Sequence, residues 1–155
     1  MKIYTHAALA IAASALLWSG ASSLRAQDAN RDTVLMAANA QDLVDRLDKR
    51  TGDFKAGFND AVEHSLMDGS KLEDRSKRRA DDLHDNASKL KDKFHDKKDK
   101  NDPEVRKWVD ETLAAGADVN RIMSTHRFTD KLQAEWTSIR TDLNGLAALY
   151  SLSPM

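Results

Sequence analysis

The stretch that decides the fold of this chain is its last apolar-periodic segment, Thr129–Tyr150 (TDKLQAEWTSIRTDLNGLAALY). Large apolar side chains recur there in alternating steps of four and three, at Leu132, Trp136, Ile139, Leu143, Leu146 and Tyr150. This spacing is the heptad pattern of a helix that packs against other helices along one seam. The segment therefore predicts a helix over about residues 130–150 and a bundle with coiled-coil packing around it.

Helix start signals divide the rest of the chain. Aspartate caps a first helical turn and proline fits the first helical position, so Asp102-Pro103 predicts a third helix over residues 103–126. Ser70-Lys71-Leu72-Glu73 is a capping box and predicts a second helix over residues 70–100. A first helix over about residues 31–65 follows from residues in steps of three and four, namely Val34, Ala38, Gln41, Val44, Leu47, Thr51, Phe54, Phe58, Ala61 and Val62.

The predicted fold class is all-α, a four-helix up-down antiparallel bundle. Short connections between long amphipathic helices favour antiparallel neighbours. The first two helices are predicted to be longer than the last two. A long helical hairpin with a shorter helix pair attached is therefore the variant to be distinguished.

The second predicted helix is the most polar of the four. Of the 30 residues from Lys71 to Lys100, 19 are charged. Its thin apolar stripe includes Leu72, Leu83 and Phe94, which are spaced by eleven residues. This period predicts a helix that is nearly straight or has slight right-handed coiling. The basic cluster Arg75–Arg79 is flanked by acids, which favours a solvated, salt-bridged face over an anion-binding site.

The N-terminal residues 1–26 have the layout of a secretory signal peptide. Lys2 is followed by the uncharged apolar run Ala7–Trp18 and by the small and polar segment Ser19–Ala26. The run is shorter than the about 20 residues that span a bilayer, although an uncleaved anchor or a buried helix is the alternative. Cleavage is expected after Ala26 or a few residues earlier. Residues 27–155 are then a single helical domain located in the periplasm or secreted.

Composition limits what such a domain does. The chain has 24 basic and 25 acidic residues, and removing Lys2 and Arg25 with the signal leaves 22 basic against 25 acidic. This balance argues against a nucleic-acid-binding protein, which would be strongly basic. The chain has no cysteine, which excludes disulfides and a lipid anchor at the cleavage site. No second apolar segment is long enough to cross a membrane.

One pattern suggests a metal. Asp81, His84 and Asp85 are spaced i, i+3, i+4, and the arrangement recurs eleven residues later at Asp92, His95 and Asp96. Imidazole and carboxylate side chains together bind divalent transition metals. These six residues are the candidate ligands. The competing interpretation is a solvated helix face that places histidine near aspartate by chance.

Other chemistry has little support in the residues. There is no nucleophile elbow, no metalloprotease motif, no glycine-rich phosphate loop and no haem-attachment motif. His126 is expected to cap the third helix or to pack at the edge of the bundle. The aromatic residues expected in the core are Trp108, Trp136 and Tyr150.

The leading functional hypothesis is a non-enzymatic module of the cell envelope without a cofactor. Such a module acts through its helix surfaces in a binding, accessory or structural role, with a protein partner in the envelope. The alternative is a periplasmic metal-binding protein that uses the histidines and aspartates of the second helix. The sequence leaves open whether the protein is a monomer or a homodimer.

Three stretches resemble a group of short exported helical bacterial proteins of uncharacterised function. They are Arg46–Lys55 (RLDKRTGDFK), Leu66–Ser70 (LMDGS) and Ile122–Tyr150, and together with the segments between them they cover most of the mature chain. The specific pieces are an L-x-D-G-[ST] turn and a W-x-x-[IL]-R-x-D-L-x-x-L-A-x-x-Y ending. The resemblance implies export and a helical fold, and it implies no catalytic residue.

Overall fold

The computed structural model describes residues 21–64, 69–97 and 99–155, with side chains from residue 39 onward. In these ranges the chain forms four α-helices and no strand, so the predicted all-α fold is confirmed. The helices are α1 (Ala21–Glu63), α2 (Lys71–Lys97), α3 (Pro103–Thr125) and α4 (Asp130–Leu149). None of the helices in the described part of the chain is both long and apolar enough to cross a membrane.

The chain divides into two compact units, residues 1–34 and 35–155. In the first unit the described residues, 21–34, are helical backbone at the start of α1. Most of the predicted signal peptide, residues 1–26, lies outside the described residues. The bundle that follows belongs to the second unit.

Helix α1 begins at Ala21, earlier than the predicted start near Arg31. The reason is local, because no glycine or proline interrupts the chain between Gly20 and Gly52 and alanine, leucine and arginine favour helix. Cleavage after Ala26 would remove the part of α1 that precedes Gln27.

Helices α3 and α4 begin at the predicted capping residues. The Asp102 carboxylate accepts a hydrogen bond of 2.8 Å from the backbone N–H of Glu104, and Pro103 takes the first helical position. The Thr129 hydroxyl accepts a bond of 3.3 Å from the N–H of Leu132. Each cap satisfies a donor that the first helical turn leaves without an intrahelical partner.

The start of α2 is capped from both sides. The Ser70 hydroxyl accepts a hydrogen bond of 3.2 Å from the N–H of Glu73, as the capping box predicts. The Glu73 carboxylate accepts one of 2.6 Å from the N–H of Gly69, which has φ 69°. Hydrogen bonds from Lys77 and from this N–H hold the pKa of Glu73 below its usual value.

The four helices run alternately up and down. Residue numbers fall along one helix as they rise along its neighbour in each of four contacting helix pairs. The contacts are Asp45–His95 and Glu63–Lys77 for α1 with α2, Arg79–Asp118 and Lys93–Glu104 for α2 with α3, Met123–Gln133 and Gly116–Leu143 for α3 with α4, and Leu43–Gly145 and Gly57–Leu132 for α1 with α4. Because α4 packs on α1 as well as on α3, the arrangement is a closed bundle.

The core follows the predicted seams with two corrections. Every residue of the α4 seam is buried: Leu132, Trp136, Ile139, Leu143, Leu146 and Tyr150. Leu72 is 37% exposed, because it lies in the first turn of α2 at the end of the bundle. Trp108 is only half-buried on α3. The expected eleven-residue stripe of α2 therefore holds for Leu83 and Phe94 alone.

Gly116 allows α3 and α4 to approach each other closely. A Cβ atom built on Gly116 would lie 2.7 Å from Cδ1 of Leu143, closer than carbon atoms pack. The same notch receives the thioether of Met155, whose backbone N–H donates to the Asn144 side chain at 2.8 Å. The chain end is thus folded back onto α3 and α4.

The turn that folds the chain end back has the hydrogen bonds of a Schellman motif. The N–H of Leu152 donates to the carbonyl of Ala147 at 2.9 Å, and the N–H of Ser151 donates to that of Ala148 at 3.1 Å. Ser151 has φ 56°, the left-handed conformation for which glycine is usual at this position.

Replacing Ser151 by glycine is expected to raise the free energy of unfolding by about 0.5–1 kcal/mol, because glycine adopts φ 56° without a Cβ penalty. Urea denaturation measures the change. Ser153→Gly in the exposed tail is the matched control and should give no gain. Equal stabilisation by both variants would contradict this account of the turn.

Candidate functional site

His84, the first histidine of the predicted metal pattern, lies against α1. A Cβ atom built on Gly52 would be 3.1 Å from Cε1 of His84, so this glycine leaves the space that the imidazole occupies. Nδ1 of His84 lies 3.3 Å from the hydroxyl of Thr51, which itself donates to the carbonyl of Leu47 at 2.8 Å. The ring is therefore held in a contact between two helices.

His95, the second histidine, also turns toward α1. Its Nε2 lies 2.9 Å from the Asp45 carboxylate and 2.6 Å from the side-chain nitrogen of Gln41. About half of the His95 side chain remains exposed. The carboxylate nearest to this histidine is thus on another helix, and it is not one of the predicted aspartates.

The four predicted aspartates do not join the histidines. Asp81 Oδ1 lies 3.0 Å from Nζ of Lys55 on α1. The other three are exposed on the surface of α2, namely Asp85, Asp92 and Asp96. An i, i+4 spacing places side chains near one face of a helix. Here Asp81, His84 and His95 contact α1, whereas Asp85, Asp92 and Asp96 face solvent.

The two histidines are also too far apart along α2 to share an ion. Eleven residues of α-helix rise about 16 Å, so each repeat of the pattern would have to bind an ion without ligands from the other. Across residues 39–64, 69–97 and 99–155, whose side chains the structure describes, no three His, Cys, Asp or Glu side chains are grouped so that they could hold a metal ion. Metal binding at Asp81, His84, Asp85, Asp92, His95 and Asp96 stays a prediction that a zinc titration can test.

His84 and His95 belong to a line of contacts between α1 and α2. We call this line the polar seam, and its pairs are Asp45–His95, Asp48–Lys91, Thr51–His84, Lys55–Asp81 and Glu63–Lys77. Its most buried carboxylate is Asp48, which accepts hydrogen bonds from Ser88 and Lys91. The sequence signal for the seam is weak, because these residues look like an ordinary charged face until α1 is laid beside α2.

The charge of Asp48 stabilises the folded protein. Burial raises the pKa of Asp48, but hydrogen bonds from Lys91 and Ser88 outweigh burial, and the net pKa is below its usual value. A carboxyl group whose pKa is lower in the folded than in the unfolded state contributes stability above the unfolded value of about 3.9. That contribution is lost as the pH falls through the pKa that Asp48 has in the folded protein.

Asp48→Asn is therefore expected to lower the free energy of unfolding by about 1–2 kcal/mol at pH 7, and by less at pH 3. Urea denaturation at the two pH values measures the difference. Asp85→Asn on the exposed side of α2 should have little effect at either pH. If the difference in free energy of unfolding between wild type and Asp48→Asn did not become smaller at pH 3, Asp48 would not have the stabilising role described here.

A groove of about 770 Å³ opens between the second half of α1 and the start of α4, and we call it the α1–α4 groove. Its apolar lining comes from Gly57, Ala61, Phe128 and Leu132. Its polar lining comes from Asp53, Asp60, His64, Arg127, Thr129, Lys131 and Glu135. A smaller hollow of about 190 Å³ shares Asp53 and Glu135 with it and continues past Arg50, Phe54 and Ser138.

The apolar side of the groove rests on a rigid aromatic cluster. The ring centroids of Phe58 and Phe128 are 5.3 Å apart, as are those of Phe54 and Phe58, and Phe54 stands 5.5 Å from Trp136. Phe58 is completely buried. Offset and tilted aromatic contacts at these distances are attractive and fix the positions of the helices. The groove is thus built on a packed core.

Position 57 leaves the middle of the groove open. A Cβ atom built on Gly57 would make ordinary contacts, 3.7 Å to Leu132 and 3.8 Å to Glu135. Close helix packing therefore does not require glycine here. Because glycine has no side chain, position 57 leaves an open apolar surface between the two charged rims of the groove.

The basic cluster Arg75–Arg79 has the expected salt-bridged character at two of its residues. Lys77 donates to Glu63 at 2.6 Å and contacts Glu73 at 2.7 Å, and these bonds raise the pKa of its ammonium group. Arg79 lies 3.3 Å from the carboxylate of Asp118. The cluster thus contributes to contacts of α2 with both α1 and α3.

The expectations for the aromatic residues and for His126 are largely confirmed. Trp136 and Tyr150 are buried, and burial raises the pKa of Tyr150 to about 12, so its hydroxyl stays neutral. Trp108 is instead half-buried beneath the ammonium group of Lys89, 4.9 Å from its ring centroid. His126 caps α3 by donating its backbone N–H to Ile122.

No protein-family model, curated protein or solved structure matches this chain.

Proposed function

We propose that this protein is an exported, non-enzymatic binding module that acts through its helix surface, with the α1–α4 groove as its recognition surface. The observation that carries the proposal is the groove itself, an apolar strip bordered by acids and bases on two rigidly packed helices. Its volume of about 770 Å³ lies in the range of ligand-binding clefts. A cleft that is open to solvent between two helices is better suited to binding a segment of another chain than to enclosing a small molecule.

The exposure of the charged rim favours binding over catalysis. Asp53, Asp60, Arg127 and Lys131 are all exposed. Catalytic acids and bases are commonly desolvated so that their pKa values are shifted toward the working pH. Charges on an open rim select and orient a partner instead.

A photo-crosslinking amino acid placed at position 60 tests this proposal in cells. Adducts with a partner are expected at this position, and Gly57→Leu, which fills the middle of the groove, should abolish them. The matched control carries the crosslinker in place of Asp85, an exposed aspartate of α2. Adducts that form equally at both positions, or that persist in the Gly57→Leu variant, would overturn the proposal.

Export to the periplasm or the medium is supported by the segment Lys2 to Ala26, with its apolar run Ala7–Trp18. Cell fractionation with mass determination of the purified chain tests it. We expect a product outside the cytoplasm that begins at Gln27 or a few residues earlier. Leu16→Arg, which interrupts the apolar run, should keep the full-length chain inside. Recovery of intact wild-type chain from the cytoplasm would contradict export.

A further inference from the structure

The charges along the α1–α4 groove are not evenly distributed. At one end, Asp53 of α1 and Glu135 of α4 line both the main groove and its smaller continuation. Arg50, the cation beside them, is bonded at 2.6 Å to the buried carboxylate of Asp142. This end therefore presents two carboxylates, of which Glu135 lies 3.9 Å from Nζ of Lys131, and the arginine that lines its continuation is already bonded to Asp142.

The other end carries an arginine and a histidine. Arg127 and His64 line the groove where α1 ends and the connection between α3 and α4 passes. Asp60 contacts the His64 imidazole at 3.5 Å, and Lys131, nearer the middle, reaches to 3.9 Å from Glu135. At this end the exposed guanidinium of Arg127 is the permanent positive charge, and the exposed Asp60 carboxylate beside His64 carries an equal negative charge.

The length of the groove limits what spans it. Asp53 and His64 are eleven residues apart on one helix, which corresponds to a rise of about 16 Å. An extended chain advances about 3.3 Å per residue, so about five residues connect the two ends. Between the ends lies the apolar strip of Gly57, Ala61 and Leu132.

We infer that the occupant of the α1–α4 groove is a short extended peptide segment of another protein, basic at one end and carrying a carboxylate at the other. Its basic group lies against Asp53 and Glu135, its carboxylate lies against Arg127, and apolar side chains cover the strip between them. Guanidinium recognises carboxylate with two parallel hydrogen bonds, which favours this orientation. The inference depends on the proposed binding function and adds to it the chemistry of the partner.

Three labelled pentapeptides of equal length test the charge order by fluorescence anisotropy. The first is Lys-Leu-Ala-Leu-Leu with a free carboxylate, which has one end of each sign. The second, Lys-Leu-Ala-Leu-Lys amide, is basic at both ends, and the third, acetyl-Glu-Leu-Ala-Leu-Leu with a free carboxylate, is acidic at both ends. The first is expected to bind about tenfold more tightly than the others, because it alone presents to each end of the groove a charge of the opposite sign.

Charge-reversal variants locate the binding. Arg127→Glu should shift the preference to the doubly basic peptide. Asp53→Lys combined with Glu135→Lys, which reverses both carboxylates of the other end, should shift it to the doubly acidic one. Gly57→Leu should abolish binding of all three while keeping the fold, because replacing a helical glycine favours helix formation. Circular dichroism and thermal melting confirm that each variant is folded.

Every outcome decides the inference. Equal affinity for the three peptides, no binding of any of them, or binding unaffected by Gly57→Leu would overturn it. Crosslinked adducts at position 60 in cells, without peptide selectivity in vitro, would remove this inference and leave the binding function standing. Absence of both would remove the two together.

Discussion

Replacing Leu83 by alanine is expected to lower the free energy of unfolding by about 2–5 kcal/mol. Leu83 is 1% exposed in the middle of α2, and the surrounding helices are tied together by contacts on both sides, so the cavity left by the substitution will not collapse fully. Urea denaturation followed by far-UV circular dichroism measures the change. Helix α2 is highly charged and yet contributes Leu83 to the core.

Leu72→Ala is the matched control, because it is the same substitution in the same helix. Leu72 is 37% exposed in the first turn of α2, and its loss should change stability by less than about 0.5 kcal/mol. By sequence spacing alone, Leu72 and Leu83 belong to one stripe and would be equally costly to replace. Similar losses for the two variants would therefore refute the burial described here.

Asp142→Ala is expected to lower the free energy of unfolding by about 2–3 kcal/mol. The Asp142 side chain is 6% exposed and receives Arg50 at 2.6 Å and Arg46 at 3.4 Å. Removing one partner of a buried ion pair costs about 3–5 kcal/mol when the other charge stays buried. Here the side chains of Arg50 and Arg46 are 42% and 49% exposed, so water solvates them when the Asp142 carboxylate is removed. The loss of stability is therefore smaller.

Asp110→Ala, at an exposed position of α3, is the control for loss of one negative charge and should be nearly neutral. The loss in Asp142→Ala should persist at high salt, since burial protects the pair from screening. If 1 M salt removed the difference between Asp142→Ala and wild type, the pair would be a surface contact. That result would exclude it as the link between α1 and α4.

Much of the fold was predictable from local patterns. The heptad seam of α4 is buried at every one of its positions, and Asp102, Pro103 and Thr129 start α3 and α4 where expected. Such features depend on residues within a few positions of one another, so their physics is contained in the sequence. The boundary that was wrong, the start of α1, lies where no glycine, proline or clear capping signal marks a stop.

The candidate site was much less predictable. Sequence spacing drew attention to His84 and His95 on α2, and the structure uses both to contact α1. The α1–α4 groove joins residues from Asp53 to Glu135 and has no local pattern. Gly57 has no sequence signal for a groove, and only its position beside Leu132 in the structure leaves the groove open.

By itself the sequence determined a chain of four amphipathic helices, their capping residues and their apolar seams, because helix periodicity and capping act over a few residues. Only the tertiary structure decided which charged residues face a neighbouring helix and which face water. It turned Asp48 and Asp142 toward partners far away in the chain, left Leu72 at the surface and opened the groove. The reason is that a charge run has no preferred direction until another helix supplies a counter-charge or removes water from it.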